Sequence, residues 1–256
     1  MPAKSAKPTA TTPNTDVNPI PSVWTRRQRE TQQPALTRAA IVREAVLMLD
    51  ADGIEALSMR KLGARLNAGA TSLYRHVATK EELMELAVDE VCAEILVPSP
   101  ELARGDWRAA VTGAAASFRA TALNHPWLSS VLGQAGLAYL GPNLMSFSDR
   151  LAALFTAAGF PEPSRAIDTV LAYVIGMSTT ESAWLITVAR SGETEAAFIA
   201  RLMPAAQEAA ADRAHLSDAY AAAAATATID PKGIRDTKFN YGLDVVLDGL
   251  ALRLPR

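Results

Sequence analysis

Between Ser58 and Val77 the chain has room for only two short helices, and a turn of Asn67-Ala68-Gly69 divides them. Asn and Gly tolerate the left-handed backbone that so tight a reversal requires. Segments this short do not hold a helix alone in water, so they need a neighbour to bury against. Ser58 is placed to cap the first, Met59 to Leu66, with Leu62 and Leu66 facing inward. The second runs from about Ala70 to His76, with Leu73 and Val77 inward. Two short helices joined by a glycine-containing three-residue turn form a helix-turn-helix.

The neighbour precedes them. Thr37 caps a helix from Arg38 to about Ala51 whose apolar face is Ile41, Val42, Ala45, Val46 and Leu49. Gly53 suits its C-terminal cap. Thr79-Lys80-Glu81-Glu82 reads as a capping box, with Thr79 as cap and Glu82 reaching back. It opens a longer helix, Lys80 to about Leu96.

From there helix follows helix: Asp106–Asn124, a short one near Pro126–Gly133, Asn143–Ala158, Ser164–Arg190, Glu193–Ala225 with a break expected at Pro204, and Lys238–Leu254. Pro and Gly mark the gaps, as at His125-Pro126, Gly141-Pro142 and Asp230-Pro231. Alanine and leucine dominate and β-branched runs are few, which favours helix over sheet. The expected fold is all-α. An N-terminal three-helix domain over 35–80 is joined by a connecting helix to a helical bundle over 81–256. Residues 1–34 hold six prolines and little to bury, so they form a flexible arm. Its end, Trp24-Thr25-Arg26-Arg27-Gln28-Arg29, is either a basic DNA-tracking arm or a solvated tail.

Charge is distributed to match. Residues 26–80 carry ten Lys/Arg against five Asp/Glu, while residues 81–256 carry thirteen against twenty-one. The net +5 of the head and −8 of the body fit a protein whose head alone meets a polyanion. One cysteine and three scattered histidines give no disulfide and no zinc spacing, and Cys92 reads as a small buried residue. No apolar run is long enough for a membrane span, and the expected location is the cytoplasm. Nucleotide-binding, metalloprotease and nucleophile-elbow motifs are all lacking, so an enzyme is the weaker reading.

On a helix-turn-helix, the start of the second helix enters the major groove while neighbouring donors hold phosphates. The candidate DNA-binding residues are therefore Thr37, Arg60, Ala70, Thr71, Ser72, Tyr74, Arg75, His76 and Lys80. Ala70 and Thr71 can offer methyls to thymine, and Arg75 reaches a phosphate or a guanine edge.

The run from Gly53-Ile54-Glu55-Ala56-Leu57-Ser58-Met59-Arg60-Lys61-Leu62 to Thr71-Ser72-Leu73-Tyr74-Arg75-His76-Val77-Ala78-Thr79-Lys80-Glu81-Glu82-Leu83 resembles the DNA-binding domain of the tetracycline-repressor (TetR) family. The body, through Trp107-Arg108, Tyr139-Leu140-Gly141-Pro142 and the stretch Phe239 to Leu250, is similar to that of the tetracycline repressors themselves. The resemblance implies a homodimer on double-stranded operator DNA, released when a small organic effector moves the connecting helix. Those repressors bind a magnesium–drug chelate through histidines. Here Tyr139 stands at one such position, and Glu94-Ile95-Leu96-Val97 lacks the other. An apolar effector without metal or other cofactor is expected instead. A ligand-independent dimeric DNA-binding protein is the alternative.

Pocket candidates are Phe118, His125, Trp127, Tyr139, Phe147, Tyr173, Met177, Glu181 and Trp184. Glu181 shares helical spacing with Tyr173, Met177 and Trp184, and a carboxylate beside an apolar face needs a partner. The two long C-terminal helices are the expected dimer surface, with Phe239, Leu243, Val246, Leu247 and Leu250 forming the apolar side of the last one.

Overall fold

The structure is a computed structural model that describes residues 36–135, 140–224 and 230–255. The N-terminal arm and Tyr139 lie outside these. All regular structure among the described residues is helical: α1 (Arg38–Asp52), α2 (Met59–Arg65), α3 (Ala70–Leu73), α4 (Lys80–Cys92), α5 (Pro100–Asn124), α6 (Leu128–Ala135), α7 (Pro142–Ala157), α8 (Pro163–Ser191), α9 (Glu195–Ala210), α10 (Ala214–Ala224) and α11 (Pro231–Ala251). A 3₁₀ turn, Ile54–Ala56, links α1 to α2.

Hydroxyl caps start the head helices where the sequence places them. Thr37 Oγ1 accepts from Ala40 N at 3.1 Å, Ser58 Oγ from Lys61 N at 3.2 Å and Thr79 Oγ1 from Glu82 N at 3.0 Å. Glu82 reaches back to Ala78 N at 3.1 Å, one residue before the expected partner. Gly53 ends α1 at φ 77°, a backbone that a side chain would strain. α3 is shorter than expected. Past Leu73 the chain tightens into turns, with His76 N and Val77 N both bonding Leu73 O.

Ile41, Ala45 and Leu49 of α1 close over Leu62, Leu73, Val77 and Leu83 as one head core. The reversal after α2 depends on Gly63. A Cβ there would stand 2.7 Å from Ala68 O, so only glycine lets the turn pack onto the helix. α4 packs on α1 and also on α7, which makes it the link between head and body.

In the body α5, α7 and α8 pack against one another, α6 lies on α8, and α11 lies along α8. Phe118, Leu154, Phe155, Val174, Phe239 and Leu243 fill the centre. Several boundaries depart from expectation. α11 starts at Pro231 instead of Lys238, since proline suits the first helical position. α4 ends at Cys92, and the segment after it is pinned to α5 by Leu96 N donating to Ser117 Oγ at 2.8 Å. α5 begins at Pro100 and kinks at Asp106, whose carboxylate caps the helix that the sequence started there (Ala109 N, 3.0 Å). Pro204 sits inside α9, and the break falls at 211–213. Ala200 and Pro204 are both exposed, so water can serve the carbonyl left without its helical donor. Cys92 is fully buried, and burial pushes its thiol up to about 12. No helix among the described residues is long and apolar enough to cross a membrane.

Candidate DNA-binding face and ligand-sensing core

The candidate residues of the head fall on the caps, first turns and following turns of α1 to α4. Ala70, Thr71 and Ser72 form the first turn of α3, with Thr71 exposed and Leu73 anchored at 0% exposure beneath it. Tyr74 is half exposed, and Arg75 follows at the surface. Arg60, near the start of α2, is also exposed, and no ion pair within the described chain engages Arg60 or Arg75. Arg65 differs, because it is tied to Glu44. His76 is half-buried. Lys80 Nζ donates to Ile54 O at 3.4 Å, which holds the ammonium at the mouth of α4 near the 3₁₀ turn. Thr37 is the exposed cap of α1. The face therefore combines small residues that allow close backbone approach with free guanidinium groups beside them.

The body residues separate into three groups instead of lining one pocket. Phe118 and Phe147 meet, with ring centroids 6.2 Å apart, in an apolar seam between α5, α7 and α8. Val111, Ala114, Leu151 and Val174 line the same seam, which is barely wide enough for a water molecule. Tyr173 and Met177 pack at the edge of the core, and the Tyr173 hydroxyl donates to Phe239 O at 2.7 Å.

Glu181 belongs to a second group. Its carboxylate accepts two bonds from Arg119, at 2.7 and 2.8 Å, and one from Arg235 Nε at 2.9 Å. Arg119 also reaches Asp236 at 2.8 Å, and Arg235 pairs with Glu195. Trp184 Nε1 donates to Glu195 at 2.6 Å, which closes the set. Burial works to raise Glu181, but the hydrogen bonds and charges of the two arginines outweigh it and hold the carboxyl below its usual value. The sequence called for a partner to Glu181 and did not find it, since Arg119 and Arg235 lie 62 and 54 residues away.

His125 and Trp127 form the third group, at the boundary with the head. His125 Nδ1 lies 2.8 Å from Asp50 Oδ1 and Nε2 lies 3.2 Å from Glu94 Oε2. Trp127 Nε1 donates to the same Asp50 oxygen at 2.7 Å.

One further contact links the connecting helix to the body. Asp89 of α4 is buried, and it accepts from the backbone N–H of Asn143 at 2.9 Å, from that of Leu144 at 3.0 Å and from Asn143 Nδ2 at 3.0 Å. It caps α7 from another helix. Burial raises its carboxyl, and the hydrogen bonds offset part of that rise. Among the described residues no cluster of three or more His, Cys, Asp or Glu is arranged to hold a metal ion.

Residues 41–87 match the family of bacterial regulatory proteins named tetR, and residues 99–254 match the tetracyclin repressor-like C-terminal domain. The chain belongs to the TetR family. Its relatives are DNA-binding transcriptional regulators. An HTH-type transcriptional regulator of Saccharopolyspora erythraea is 40% identical over 64% of this chain and 69% of its own length. The HTH-type transcriptional repressor DrrR1 of Streptomyces coeruleorubidus is 33% identical over 88% of this chain and 81% of its own. Among solved structures, the TetR-family protein ActR of Streptomyces coelicolor, in complex with actinorhodin, superposes with a TM-score of 0.68 at 29% identity, covering 86% of this chain and 97% of that one.

Where a protein meets DNA, phosphate contacts can be separated from base contacts by salt. Lys80→Ala is expected to weaken binding to all sequences alike and to flatten the salt dependence of log K by about one unit. Arg60→Ala is expected to weaken operator binding. Fluorescence anisotropy at several salt concentrations reads both effects. An unchanged slope would remove Lys80 from the phosphate set, and unchanged affinity would remove Arg60 from the interface.

Proposed function

We propose that this chain is a homodimeric repressor that leaves its operator when a small, largely apolar organic effector enters the seam between α5, α7 and α8. The observation that carries the reading is the coupling of that seam to the head. Phe147 and Leu151 of its wall stand on α7, and α7 is capped by Asp89 of the connecting helix. The seam is closed, so an effector must part its helices. A shift of α7 then pulls on α4, and α4 packs on α1 of the head.

A buried hydroxyl beside the seam wall supports a polar group on the effector. Ser129 on α6 and Ser178 on α8 are both fully buried and have no hydrogen-bond partner among the described residues. Such a group costs roughly 1–3 kcal/mol unless something satisfies it. Ser178 lies one helical turn beyond Val174 of the seam wall. An aromatic or alicyclic molecule bearing hydroxyl or carbonyl groups suits a wall of Phe and Val beside a serine. ActR, solved with actinorhodin, and DrrR1, named a repressor, are similar proteins that agree with this reading.

The homodimer rests on α8 and α11. The face of α11 expected to meet a partner is instead buried within the chain: Phe239, Leu243 and Leu247 are each 1% exposed. Gly242 is occupied too, since a Cβ there would stand 2.4 Å from the Tyr173 hydroxyl oxygen. The opposite face remains open, with Ile234, Tyr241, Val245 and Leu252 all exposed. Positions 234, 241, 245 and 252 fall on one line of a 3.6-residue helix. Alongside, α8 exposes Ala172, Gly176, Thr180 and Ala183, small residues that allow close approach.

The experiment is a random-oligonucleotide selection with the purified chain, followed by a screen of hydroxylated aromatic compounds, in EDTA, for release of the recovered DNA. Ala114→Phe, which fills the seam, is expected to abolish release while leaving operator affinity within about twofold, at a stability cost of about 1–3 kcal/mol. If no sequence is enriched, the repressor reading fails. If Ala114→Phe is released as readily as the wild type, the effector binds elsewhere.

A further inference from the structure

The Asp50, His125 and Trp127 contact joins the head to the body. Asp50 stands in the last turn of α1, within the head, and the head is consolidated as one unit by its core of Ile41, Leu49, Leu62, Leu73 and Val77. His125 ends α5 and Trp127 precedes α6, within the body. His125 is 8% and Trp127 4% exposed, so neither is a loose surface contact. The imidazole also meets Glu94 in the segment that follows α4, so the contact ties together α1, the end of the connecting helix and the α5–α6 corner.

Beside this contact lies an open cleft of about 680 Å³ between head and body. Asp52 and Ile54 line it on one side, and Leu185, Ile186 and Arg190 of α8 on the other. Asp50 and Trp127 belong to its wall. Head and body are therefore not packed together across this side. Besides the packing of α4 on α1, one carboxylate oxygen of Asp50 meets two side chains of the body at the cleft's edge. α3 packs on α2 and α2 on α1, so a rotation of the head at Asp50 would carry the recognition helix with it.

We infer that Asp50, His125 and Trp127 are positioning residues that set the separation of the two recognition helices in the dimer, and hence the half-site spacing the protein accepts. The inference rests on the dimeric operator-binding reading above. One base pair of added spacing moves a half-site by about 3.4 Å and rotates it by about 35°. A clamped head does not follow that change, whereas a released head does. The clamp thus specifies spacing without touching DNA. It also gives the effector a defined contact to overcome.

The test uses the full-length homodimer and the palindrome recovered by selection with the wild type. Affinity is measured for that palindrome, for versions with one central base pair added or removed, and for a single half-site, all at one salt concentration. The wild type is expected to lose about tenfold or more on each altered spacing. His125→Phe and Asp50→Ala are expected to bind all three spacings within about twofold of one another, with half-site affinity unchanged. Asp50→Asn, which keeps an acceptor oxygen, is expected to restore the preference. Variants that keep the tenfold discrimination would overturn the inference. So would variants that lose half-site and palindrome affinity alike, because these residues would then serve only the folding of the head. Failure of the wild type to select any palindrome would appear at the first step and overturn the underlying dimer reading together with this one.

Discussion

Arg119→Met is expected to cost about 3–5 kcal/mol of folding stability, because it leaves the Glu181 carboxylate buried with only half of its cationic partners. The side chain of Glu181 is 6% exposed and that of Arg119 12%, so water cannot replace the lost fork of hydrogen bonds. The same substitution leaves Asp236 with Lys232 alone, at 2.6 Å. The guanidinium also lies over the Phe239 ring, 4.7 Å from its centroid, and methionine preserves much of that packing. The loss is therefore chiefly one of charge pairing. Removing both partners, in Arg119→Met with Glu181→Leu, is expected to recover most of the stability, since an apolar pair of similar volume leaves no stranded charge. Urea unfolding of the two variants tests this. A single variant that loses less than about 1 kcal/mol would mean that the network is solvated and contributes little.

The acid limb of stability carries the same signature. Glu181 and Asp236 are both held below their ordinary values of 4.5 and 3.8, Glu181 by its arginines against the opposing effect of burial, Asp236 by Lys232 and then Arg119. A carboxylate depressed by folding stabilises the native state fully above its unfolded value, and that contribution disappears as pH falls through the folded value. Wild-type stability attributable to these groups is therefore constant near neutrality and falls below about pH 4.5. In Arg119→Met that acid slope is shallower, because less of the depression remains to be lost.

The head was legible in the sequence because its determinants are local. Thr37, Ser58 and Thr79 each bond an N–H three residues on, and Gly53 ends α1 at the position its chemistry demands, so reading along the chain suffices. The body's helices were legible for a similar reason: proline and glycine punctuate them. Pairings between distant segments were not. Arg119 meets Glu181 across 62 residues and His125 meets Asp50 across 75, and nothing in either local pattern names the other. Of the residues singled out for a pocket, the eight that lie among the described residues are buried or half-buried, but helical spacing does not say which interior they share. Phe118 and Phe147 came together, whereas Glu181 and Trp184 joined an ionic network and His125 and Trp127 the edge of the head.

The last helix shows this limit most plainly, and it leads to the largest expected effect on DNA binding. α11 is apolar on two faces. One, through Phe239, Leu243 and Leu247, completes the core of its own chain, and the other, through Ile234, Tyr241, Val245 and Leu252, is left facing solvent. The sequence reading named only the first and took it for the dimer surface, because periodicity finds an apolar face without saying what covers it. Only the packed chain shows that a charge at Leu247 would be buried in the body, whereas one at Val245, which is 55% exposed, would reach solvent. Tyr241 at 73% and Leu252 at 85% exposure are a poor surface for a lone protein. Val245→Arg is therefore expected to give a folded monomer. In a two-fold interface each substitution faces the same surface of the partner, and an arginine buried there would lack a counter-ion. A monomer engages one half-site only, so affinity for a palindrome is expected to fall by about a hundredfold or more while single half-site binding is retained. Light scattering and anisotropy on the same sample read both consequences. A dimer of unchanged palindrome affinity would move the interface off α11. A monomer that still binds the palindrome tightly would mean that two heads assemble on DNA without the body, and the effector's route from the α5–α7–α8 seam to the operator would then have to run through α4 within each chain alone.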